Sequence, residues 1–493
     1  MATKKKTTSF YLFTPGEFVG YTTVEATAHI FDIYEKGIIY AVRENATINF
    51  ILRSIPKERL AKISEGKKFI PYKASKYKFI KRKFLEIESG GSRIKINVMD
   101  DITEDFQALR PEHFNAYMQD VLTEEKTIYD MLGLTWKLNF FKWHSISARS
   151  GLLLEAEAFA SYYPKANGLA AYYGGRIEEA WQGHYKGPLY YYDINSAYPA
   201  AMVEIYSFTG KLKATKEYEP ENYGIYKISF DLTKLNLAYN CFPLRRNGET
   251  YYCAKGKTWV TGFELAAYIE RYGIVGFTIL EGYTMAHSLE KNKFQRDLAN
   301  LYAYRKAQPS FYVKKLLAGL YGKTIQRKGR SASYNSFYAA MVTGYTRAAL
   351  IKALGQAAIY CFTDSILATE KLALPISQKL GEWKLTEYSE GWFIRPGINT
   401  MRRSDGKLEI RAQGSQLALD TRELLATGLE TGNFYYKNTT PNGKTITIKN
   451  SLNLRKRVDV NFRKRKAELT YYPPAKNWRF WKEGEGLDKF PEK

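Results

Sequence analysis

A chain of 493 residues, 45% of them hydrophobic, is long enough to bury several cores, and we expect more than one domain. Its formal net charge of +24 exceeds what solubility requires, so a nucleic-acid partner is the first interpretation and a merely basic or ribosome-binding protein the second. Three cysteines are too few for a disulfide framework or a zinc ribbon, and no apolar run reaches the ~20 residues of a membrane span. Residues 1–6 also lack the apolar segment of a signal peptide, so we expect a cytoplasmic protein without a membrane anchor.

The first 165 residues are expected to form one α+β domain. Short apolar runs such as 37–42 predict strands, and residues 76–85 alternate basic with aromatic or apolar side chains. One face of that alternating run fits a core. The other fits either phosphates or a solvated strand edge, and the sequence leaves both open. A helix-rich stretch follows from about residue 110 to 165.

A tyrosine-glycine segment then precedes the most informative stretch of the chain. Residues 172–175 read Tyr-Tyr-Gly-Gly, and glycines let a backbone approach a nucleic-acid strand closely. Residues 189–199 read LYYYDINSAYP, in which an aromatic run predicts a buried strand that ends at Asp193. Ser196 or Asn195 can cap the helix that follows. A carboxylate at such a strand-to-helix turn can hold a metal, and the backbone N–H groups there can face a phosphate.

The middle of the chain predicts a strand-rich segment and then two helices. Residues 223–285 read as short strands, with a hairpin signal at residues 247–248 and a helix that opens at Thr261. Residues 290–325 predict two antiparallel helices, broken at residues 308–310. The second helix would carry Lys314 on one face and its leucines on the other, toward the core.

Another helix is expected over 336–350, followed by two short apolar strands around a tight turn, with Asp364 near its tip. A basic, glycine-containing stretch lies at 407–414. Residues 449–482 are the most basic part of the chain and include interleaved aromatics. This last stretch fits either a surface that grips a duplex or a solvated basic tail.

Three of these stretches, in this order, resemble motifs A, B and C of the family B DNA polymerases, whose patterns are D-x-x-S-L-Y-P, K-x-x-x-N-S-x-Y-G and Y-x-D-T-D-S. Here they read DINSAYP from Asp193, KKLLAGLYG from Lys314 and YCFTDS from Tyr360. The Tyr-x-Gly-Gly segment resembles the linker motif of the protein-primed branch. The resemblance covers residues 170–415 well and the remainder only by position.

The resemblance implies an α+β, right-hand polymerase fold of palm, fingers and thumb, with an N-terminal exonuclease-like α/β domain. The expected boundaries are a degenerate exonuclease-like domain over 1–165, palm over 166–289, fingers over 290–330, palm again over 331–415, and thumb with a basic C-terminal region over 416–493. The implied activity is template-directed addition of dNTPs to a primer 3′-hydroxyl, in the replication of a viral or mobile-element genome. The implied location is then the host cytoplasm.

The same resemblance assigns roles to individual residues. Asp193 and Asp364 would be catalytic and, with the Ile194 carbonyl, would hold two Mg²⁺ ions, for which Mn²⁺ can substitute. The expected dNTP-binding residues are Ser196, Ala197, Tyr198, Arg305, Lys306, Lys314 and Tyr321. The expected DNA-binding residues are Tyr172, Gly174, Gly175, Thr363, Arg411, Arg455, Lys456, Arg457, Arg463 and Lys464. The implied partners are a DNA primer-template, dNTPs and a terminal protein primer.

Several features depart from the family pattern. Phe362 replaces the first aspartate of motif C, Ala318-Gly319 replaces Asn-Ser in motif B, and Ala197 replaces leucine in motif A. No Asp-x-Glu pair of the family's 3′–5′ exonuclease occurs, and there is no room between motifs B and C for the β-hairpin of protein-primed members. Residues 396–398 stand where the branch's Lys-x-Tyr motif is expected. The alternative is therefore a polymerase-shaped nucleic-acid-binding protein with weakened catalysis.

Overall fold

The computed structural model describes residues 8–14, 17–22, 38–41, 55–56, 59, 63, 69–80, 84–89, 92–98, 111–136, 146–179, 183–246, 249–326, 332–395, 398–412, 434–439 and 445–450. The chain divides into two compact units. The first comprises Met1–Ala156 and Lys437–Ile448, and the second comprises Glu157–Tyr436 and Lys449–Lys493. The division therefore falls nine residues before the expected boundary at residue 165.

The first unit contains a mixed sheet and two helices within its described part. Its strands are β1 (Thr8–Thr14), β2 (Glu17–Thr22), β3 (Ile38–Ala41), β4 (Ile70–Tyr72), β5 (Ser75–Ile80), β6 (Phe84–Ser89) and β7 (Ser92–Val98). They form one sheet in the order β2-β1-β3-β7-β6-β5-β4, in which the β3–β7 pair is parallel and the others are antiparallel. The helices are α1 (Pro111–Met131) and α2 (Ile146–Ala156).

The alternating run at 76–85 is part of a hairpin rather than one strand. It contains most of β5 and the start of β6, which pair antiparallel from Ser75 opposite Ser89 to Ile80 opposite Phe84. Lys76 Nζ lies 2.9 Å from Glu88 Oε1, so at least one of its basic side chains is paired across the hairpin. The same period-two alternation occurs in both strands, which is why the pattern concealed the reversal.

The second unit contains the remaining strands. They are β8 (Arg176–Glu179), β9 (Gly183–Ile194), β10 (Phe208–Thr215), β11 (Tyr223–Asp231), β12 (Pro243–Arg246), β13 (Glu249–Tyr252), β14 (Lys255–Thr261), β15 (Phe277–His287), β16 (Ala358–Thr363), β17 (Ser365–Ala368), β18 (Trp383–Arg395), β19 (Ile398–Arg403) and β20 (Leu408–Ala412). Two further strands, β21 (Phe434–Thr439) and β22 (Thr445–Asn450), pair with each other and lie mostly in the Lys437–Ile448 segment of the first unit.

An antiparallel sheet of seven described strands forms the platform of this unit, in the order β20-β19-β18-β9-β17-β16-β8. The long strand β9 lies at its centre, between β17 and β18. A second sheet has the order β10-β15-β11-β14, and β12 pairs with β13 as the hairpin signal predicted.

The helices of the second unit are α3 (Phe159–Tyr162), α4 (Ala197–Glu204), α5 (Gly262–Tyr272), α6 (Lys293–Ala307), α7 (Phe311–Thr324) and α8 (Ser336–Ala353). Their starts follow local capping chemistry. Thr261 and Asn292 form capping boxes with the residue three positions on, and the side chains of Ser310 and Asn335 accept from the third backbone N–H. The predicted pair of helices over 290–325 and the helix over 336–350 are thereby confirmed.

The helix α8 is the core of this unit. Fourteen of its eighteen residues are buried, so it is covered on nearly all sides by the surrounding elements. Gly344 allows the closest approach, because a Cβ at that position would lie 2.2 Å from the Thr261 hydroxyl at the start of α5. Apolar side chains of the platform sheet, among them Ile194 and Ile366, pack with Leu350 of α8 in one buried cluster.

None of the described helices is long and apolar enough to cross a membrane. All three cysteines are buried free thiols. Burial raises the pKa of Cys241 and of Cys361 to about 12, so both are uncharged at neutral pH.

Candidate active site

The two motif aspartates meet at the centre of the platform sheet. Asp193 is the last residue but one of β9, and Asp364 stands in the turn between β16 and β17. Ser365 pairs directly with Asp193, and the Ile194 N–H donates to the Asp364 carbonyl at 3.0 Å. Residues 171 positions apart are thereby placed side by side, as the motif order predicted.

Both carboxyl groups are half-buried, and this burial raises their pKa values. Burial, followed by repulsion from Asp193, raises the pKa of Asp364 to about 7. Burial also raises the pKa of Asp193, although the positive charges of Arg411, Lys384 and Lys314 oppose the shift. Two adjacent carboxylates without a bound cation are electrostatically unfavourable, which is the condition that a divalent ion relieves.

The turns that carry the aspartates are strained. Ser196 has φ +49° and Thr363 has φ +61°, in the left-handed region that residues other than glycine seldom adopt. The Asp364 N–H donates to the Phe362 carbonyl at 2.7 Å, which makes a three-residue γ-turn centred on Thr363. Such strain is maintained by the surrounding structure and is concentrated at functional sites.

The predicted capping role of Ser196 is wrong. Ser196 precedes α4, but its side chain makes no capping hydrogen bond. Its hydroxyl instead accepts from Arg305 Nη1 at 3.1 Å, so motif A is joined to the end of α6. Asn195 also does not cap, because its amide donates to the Ser377 and Glu382 carbonyls. The left-handed Ser196 backbone explains why local capping rules did not apply here.

A cluster of three tyrosines lies next to the aspartates. The rings of Tyr198 and Tyr321 lie 4.5 Å apart at 34°, and the Tyr321 hydroxyl lies 2.7 Å from that of Tyr172. Burial raises the pKa of Tyr198 to about 12, so its hydroxyl stays protonated at working pH. Motifs A and B and the Tyr-x-Gly-Gly segment thus contact one another through side chains that the sequence assigned separately.

The cations of α6 and α7 line one side of the site. Lys314 is exposed on α7, whereas Leu316, Leu317 and Leu320 are buried on its other face, as predicted. Lys306 Nζ donates to Gln378 Oε1 at 2.9 Å. The triphosphate roles of Arg305, Lys306 and Lys314 stay predictions.

Phe362, which replaces the first aspartate of motif C, packs against the core. It lies beside a buried cluster that includes Tyr360, Tyr388 and Phe393. The position that a carboxylate occupies in the family is therefore used here for apolar packing. Among the described residues, no group of three or more His, Cys, Asp or Glu side chains could hold a metal.

The two glycines of the Tyr-x-Gly-Gly segment differ in their surroundings. A Cβ at Gly175 would lie 2.6–2.9 Å from atoms of Thr363, whereas a Cβ at Gly174 would meet nothing within 4 Å. Gly175 therefore allows the segment to pack on the motif C turn. The backbone at Gly174 is exposed to solvent, as contact with a DNA strand would require.

We expect Gly175→Ala to destabilise the protein by roughly 1–3 kcal/mol, because overpacking shifts the backbone of the motif C turn. Gly174→Ala is the matched control and should change stability by less than about 0.5 kcal/mol. Chemical denaturation of the two variants makes the comparison. Equal stabilities of the two variants would mean that the turn at Thr363 accommodates the added methyl group at no cost in free energy.

A buried ion pair behind the segment was not evident from the sequence. Arg347 of α8 and Glu264 of α5 are about 1% and 0% exposed and are joined by hydrogen bonds of 2.8 and 3.0 Å. Arg347 also donates to the carbonyls of Tyr173 and Gly174, at 2.8 and 3.1 Å. The pair therefore fixes the backbone of the Tyr-x-Gly-Gly segment from behind.

Arg411 lies in β20, the edge strand of the platform sheet, and its side chain reaches β9. Its guanidinium stacks 3.8 Å from the ring centroid of Tyr191, two residues before Asp193. Its predicted contact with DNA stays a prediction. The remaining predicted DNA contacts, Arg455, Lys456, Arg457, Arg463 and Lys464, lie outside the described residues, as do residues 396 and 397 of the stretch at the Lys-x-Tyr position.

Comparison with known proteins identifies the family of the chain. The family described as "DNA polymerase type B, organellar and viral" matches residues 62–327, more than half of the chain. No curated protein sequence matches the chain. The chain belongs to the type B DNA polymerases of the organellar and viral kind, and as such it is a DNA-directed DNA polymerase.

Solved structures show the same fold. The chain is similar to phi29 DNA polymerase complexed with primer-template DNA, with TM-score 0.56 and 16% identity over 88% of this chain and 94% of that one. A complex of the same polymerase with single-stranded DNA gives TM-score 0.51 and 17% identity, over 88% and 93% of the two chains. Its orthorhombic crystal form gives TM-score 0.51 and 16% identity, over 76% and 84%. The resemblance to the protein-primed branch is thereby confirmed, together with an α+β polymerase fold.

Proposed function

We propose that this polymerase replicates a viral or mobile-element genome by adding dNTPs to a primer 3′-hydroxyl, with Asp193 and Asp364 as its catalytic residues. The observation that carries the proposal is the pairing of β9 with β17, which sets the two carboxylates side by side. In this proposal the platform sheet is the palm, α6 and α7 are the fingers, and residues 416–493 supply the thumb.

The donor set fits divalent metal ions. Asp193, Asp364 and the carbonyl of Ile194 are hard oxygen ligands of the kind that Mg²⁺ and Mn²⁺ accept. Bound divalent ions would activate the primer 3′-oxygen and stabilise the leaving pyrophosphate. The chain itself binds and orients the substrate, with Arg305, Lys306 and Lys314 toward the triphosphate and Tyr321 toward the nascent base pair. Base pairing supplies sequence readout, so the protein needs phosphate contacts and stacking.

Primer extension in Mg²⁺ and in Mn²⁺, on a DNA primer-template and on template alone, tests the proposal. Synthesis that requires a template and is lost in Asp193→Asn supports it. The reaction without a primer, with and without a candidate terminal protein, defines the priming mode. A wild-type chain that binds DNA but extends nothing in either metal would favour the alternative, a polymerase-shaped binding protein.

We also propose that the protein does not proofread, because the chain has no Asp-x-Glu pair on which the family's exonuclease depends. A 3′-mismatched single strand incubated with the protein and Mg²⁺ should stay intact. Release of mononucleotides that is lost on mutation of Asp100 or Asp101 would overturn this.

Tyr198 is expected to exclude ribonucleotides, since the family tyrosine at this motif A position lies under the sugar. We expect Tyr198→Ala to raise ribonucleotide incorporation, relative to deoxyribonucleotide, by about tenfold or more. Tyr198→Phe keeps the ring and should keep the ratio. The ratio of kcat/KM values for matched dNTP and rNTP is the measurement, and an unchanged ratio in Tyr198→Ala would place the discriminating group elsewhere.

Phe362→Asp restores the missing motif C carboxylate and tests whether the first aspartate of that motif is required. Because Asp193 and Asp364 form the pair, we expect the extension rate to change by less than about tenfold, roughly 1.4 kcal/mol in the barrier. The melting temperature should fall, because Phe362 packs on a buried cluster. An inert wild type that Phe362→Asp switches on would identify a silenced polymerase.

A further inference from the structure

One cation of the site comes from the platform sheet itself and belongs to none of the three motifs. Lys384 is the second residue of β18 and pairs directly with Asp193 of β9, while Ser365 of β17 pairs with Asp193 on the other side. Residues opposite each other in an antiparallel pair share a face, with Cβ atoms about 4.5–5.5 Å apart. Lys384, Asp193 and Ser365 therefore form one row across the catalytic face of the sheet.

Lys384 also lies near the cations of α6. The pKa of Lys306 is lowered, first by burial and then by the positive charges of Arg305 and Lys384. Arg305, also in α6, donates a hydrogen bond to Ser196 in the turn that follows Asp193. The row on the sheet and the end of α6 therefore both lie near Asp193.

The cations near Asp193 form no close ion pair with any described carboxylate. In the described part of the chain, no ion pair is formed within 4.0 Å by Arg305, Lys306, Lys314 or Lys384. Elsewhere on this unit, the exposed Lys371 is paired with Glu387 at 2.9 Å. Cations that repel one another and share a single nearby carboxylate, Asp193, are stabilised when a polyanion joins them.

We propose that Lys384 is a further substrate-binding residue of this polymerase, which contacts the phosphates of the incoming nucleotide and of the departing pyrophosphate from the palm side. The proposal rests on the Asp193–Asp364 site. The cations of α6 and α7 would hold the polyphosphate from the fingers, and Lys384 would hold it from the sheet. Because β18 is fixed by β9 and β19, this contact would not depend on the position of the fingers.

A purely electrostatic role makes a different prediction. If Lys384 only balanced the charge of Asp193, its removal would alter Mg²⁺ dependence and the pH profile and leave the KM for nucleotide unchanged. A phosphate contact instead affects nucleotide and pyrophosphate together, since both present the same group to the same side chain.

The test is steady-state primer extension and its reverse, pyrophosphorolysis, with wild type, Lys384→Ala and Lys384→Arg at saturating Mg²⁺. We expect Lys384→Ala to raise the KM for dNTP and for inorganic pyrophosphate by at least tenfold each, with the KM for primer-template within twofold. Lys384→Arg should recover most of both. The control is Lys371→Ala, whose lysine lies over Tyr190, three residues from Asp193 and on the opposite face of the sheet.

A KM for dNTP within twofold of wild type in Lys384→Ala would overturn the proposal and leave the polymerase function standing. A shift in Mg²⁺ dependence alone would replace it with the electrostatic role. Failure of the two-carboxylate site would appear separately, as full activity in Asp364→Asn. Circular dichroism and melting of each variant establish that it is folded.

Discussion

Asp364→Asn should abolish synthesis and at the same time stabilise the fold. Asparagine keeps the size and shape of the side chain but cannot provide the charge that a divalent ion needs. We expect the extension rate to fall by more than about 10³-fold, several kcal/mol in the barrier. Stability should rise, because repulsion from Asp193 and the burial of a charge are both removed. Primer extension and thermal melting in EDTA measure the two effects on one protein.

The stability effect has a definite pH dependence. The pKa of Asp364 is about 7 in the folded chain and near its ordinary value of 3.8 when unfolded. Between these values the folded state binds a proton that the unfolded state has lost, so wild-type stability falls as pH rises. The advantage of Asp364→Asn should therefore grow from about pH 4 to about pH 7 and stay constant above that.

Asp231→Asn provides a control of opposite sign. Hydrogen bonds from Thr233 and the charge of Lys255 lower the pKa of Asp231 to about 2, so its carboxylate stabilises the fold above its ordinary pKa. Its replacement should lower the melting temperature slightly at pH 7 and leave synthesis intact. Robust synthesis by Asp364→Asn, or a loss of stability with no pH trend, would contradict the assignment of this carboxylate.

Arg347→Met should destabilise the second unit by about 3–5 kcal/mol, the usual effect of removing one member of a buried ion pair. The substitution leaves the Glu264 carboxylate without its partner at a fully buried position. It also removes the donors to the carbonyls of Tyr173 and Gly174, so affinity for primer-template should weaken as well. Urea denaturation and a DNA-binding titration are the measurements.

The double variant Arg347→Met/Glu264→Gln separates charge from packing. Glutamine can still accept from the Thr261 N–H, to which Glu264 Oε2 lies at 3.0 Å, and it carries no charge. Stability should recover substantially, while DNA affinity stays low because the two carbonyls still lack donors. Lys352→Ala, which breaks the exposed pair with Glu270, should change stability by less than about 1 kcal/mol. A loss below 1 kcal/mol in Arg347→Met itself would show that solvent reaches the pair.

Most of the site's chemistry could be predicted from the sequence, because the motifs are local. The strand that ends at Asp193, the hairpin around Asp364 and the two helices with Lys314 on the outer face all follow from period-two and period-3.6 patterns. The order of the three motifs along the chain resembles that of a known family, and this resemblance predicts that the two aspartates lie close together. Neither step required the tertiary structure.

The features of the site that could not be predicted from the sequence depend on contacts between distant residues. Nothing near Arg347 indicates that its partner is Glu264, 83 positions earlier, or that both are buried. Ser196 reads as a cap, and only the approach of Arg305 from α6 shows why its hydroxyl is used elsewhere. Lys384 has no motif around it, and it is linked to Asp193 by strand register alone. Register and burial are set by the packing of the whole sheet, which local patterns do not encode.

The near-complete burial of α8 has a consequence for how the second unit opens. Its backbone amides can reach solvent only if the elements around it separate, since fourteen of its eighteen residues are covered. In deuterium these amides should exchange last and through global unfolding, whereas the exposed ends of α6 and α7 exchange through local fraying. The slowest protons of α8 therefore report the stability of the whole second unit, and nucleotide bound near α7 would slow them only as far as it stabilises that unit.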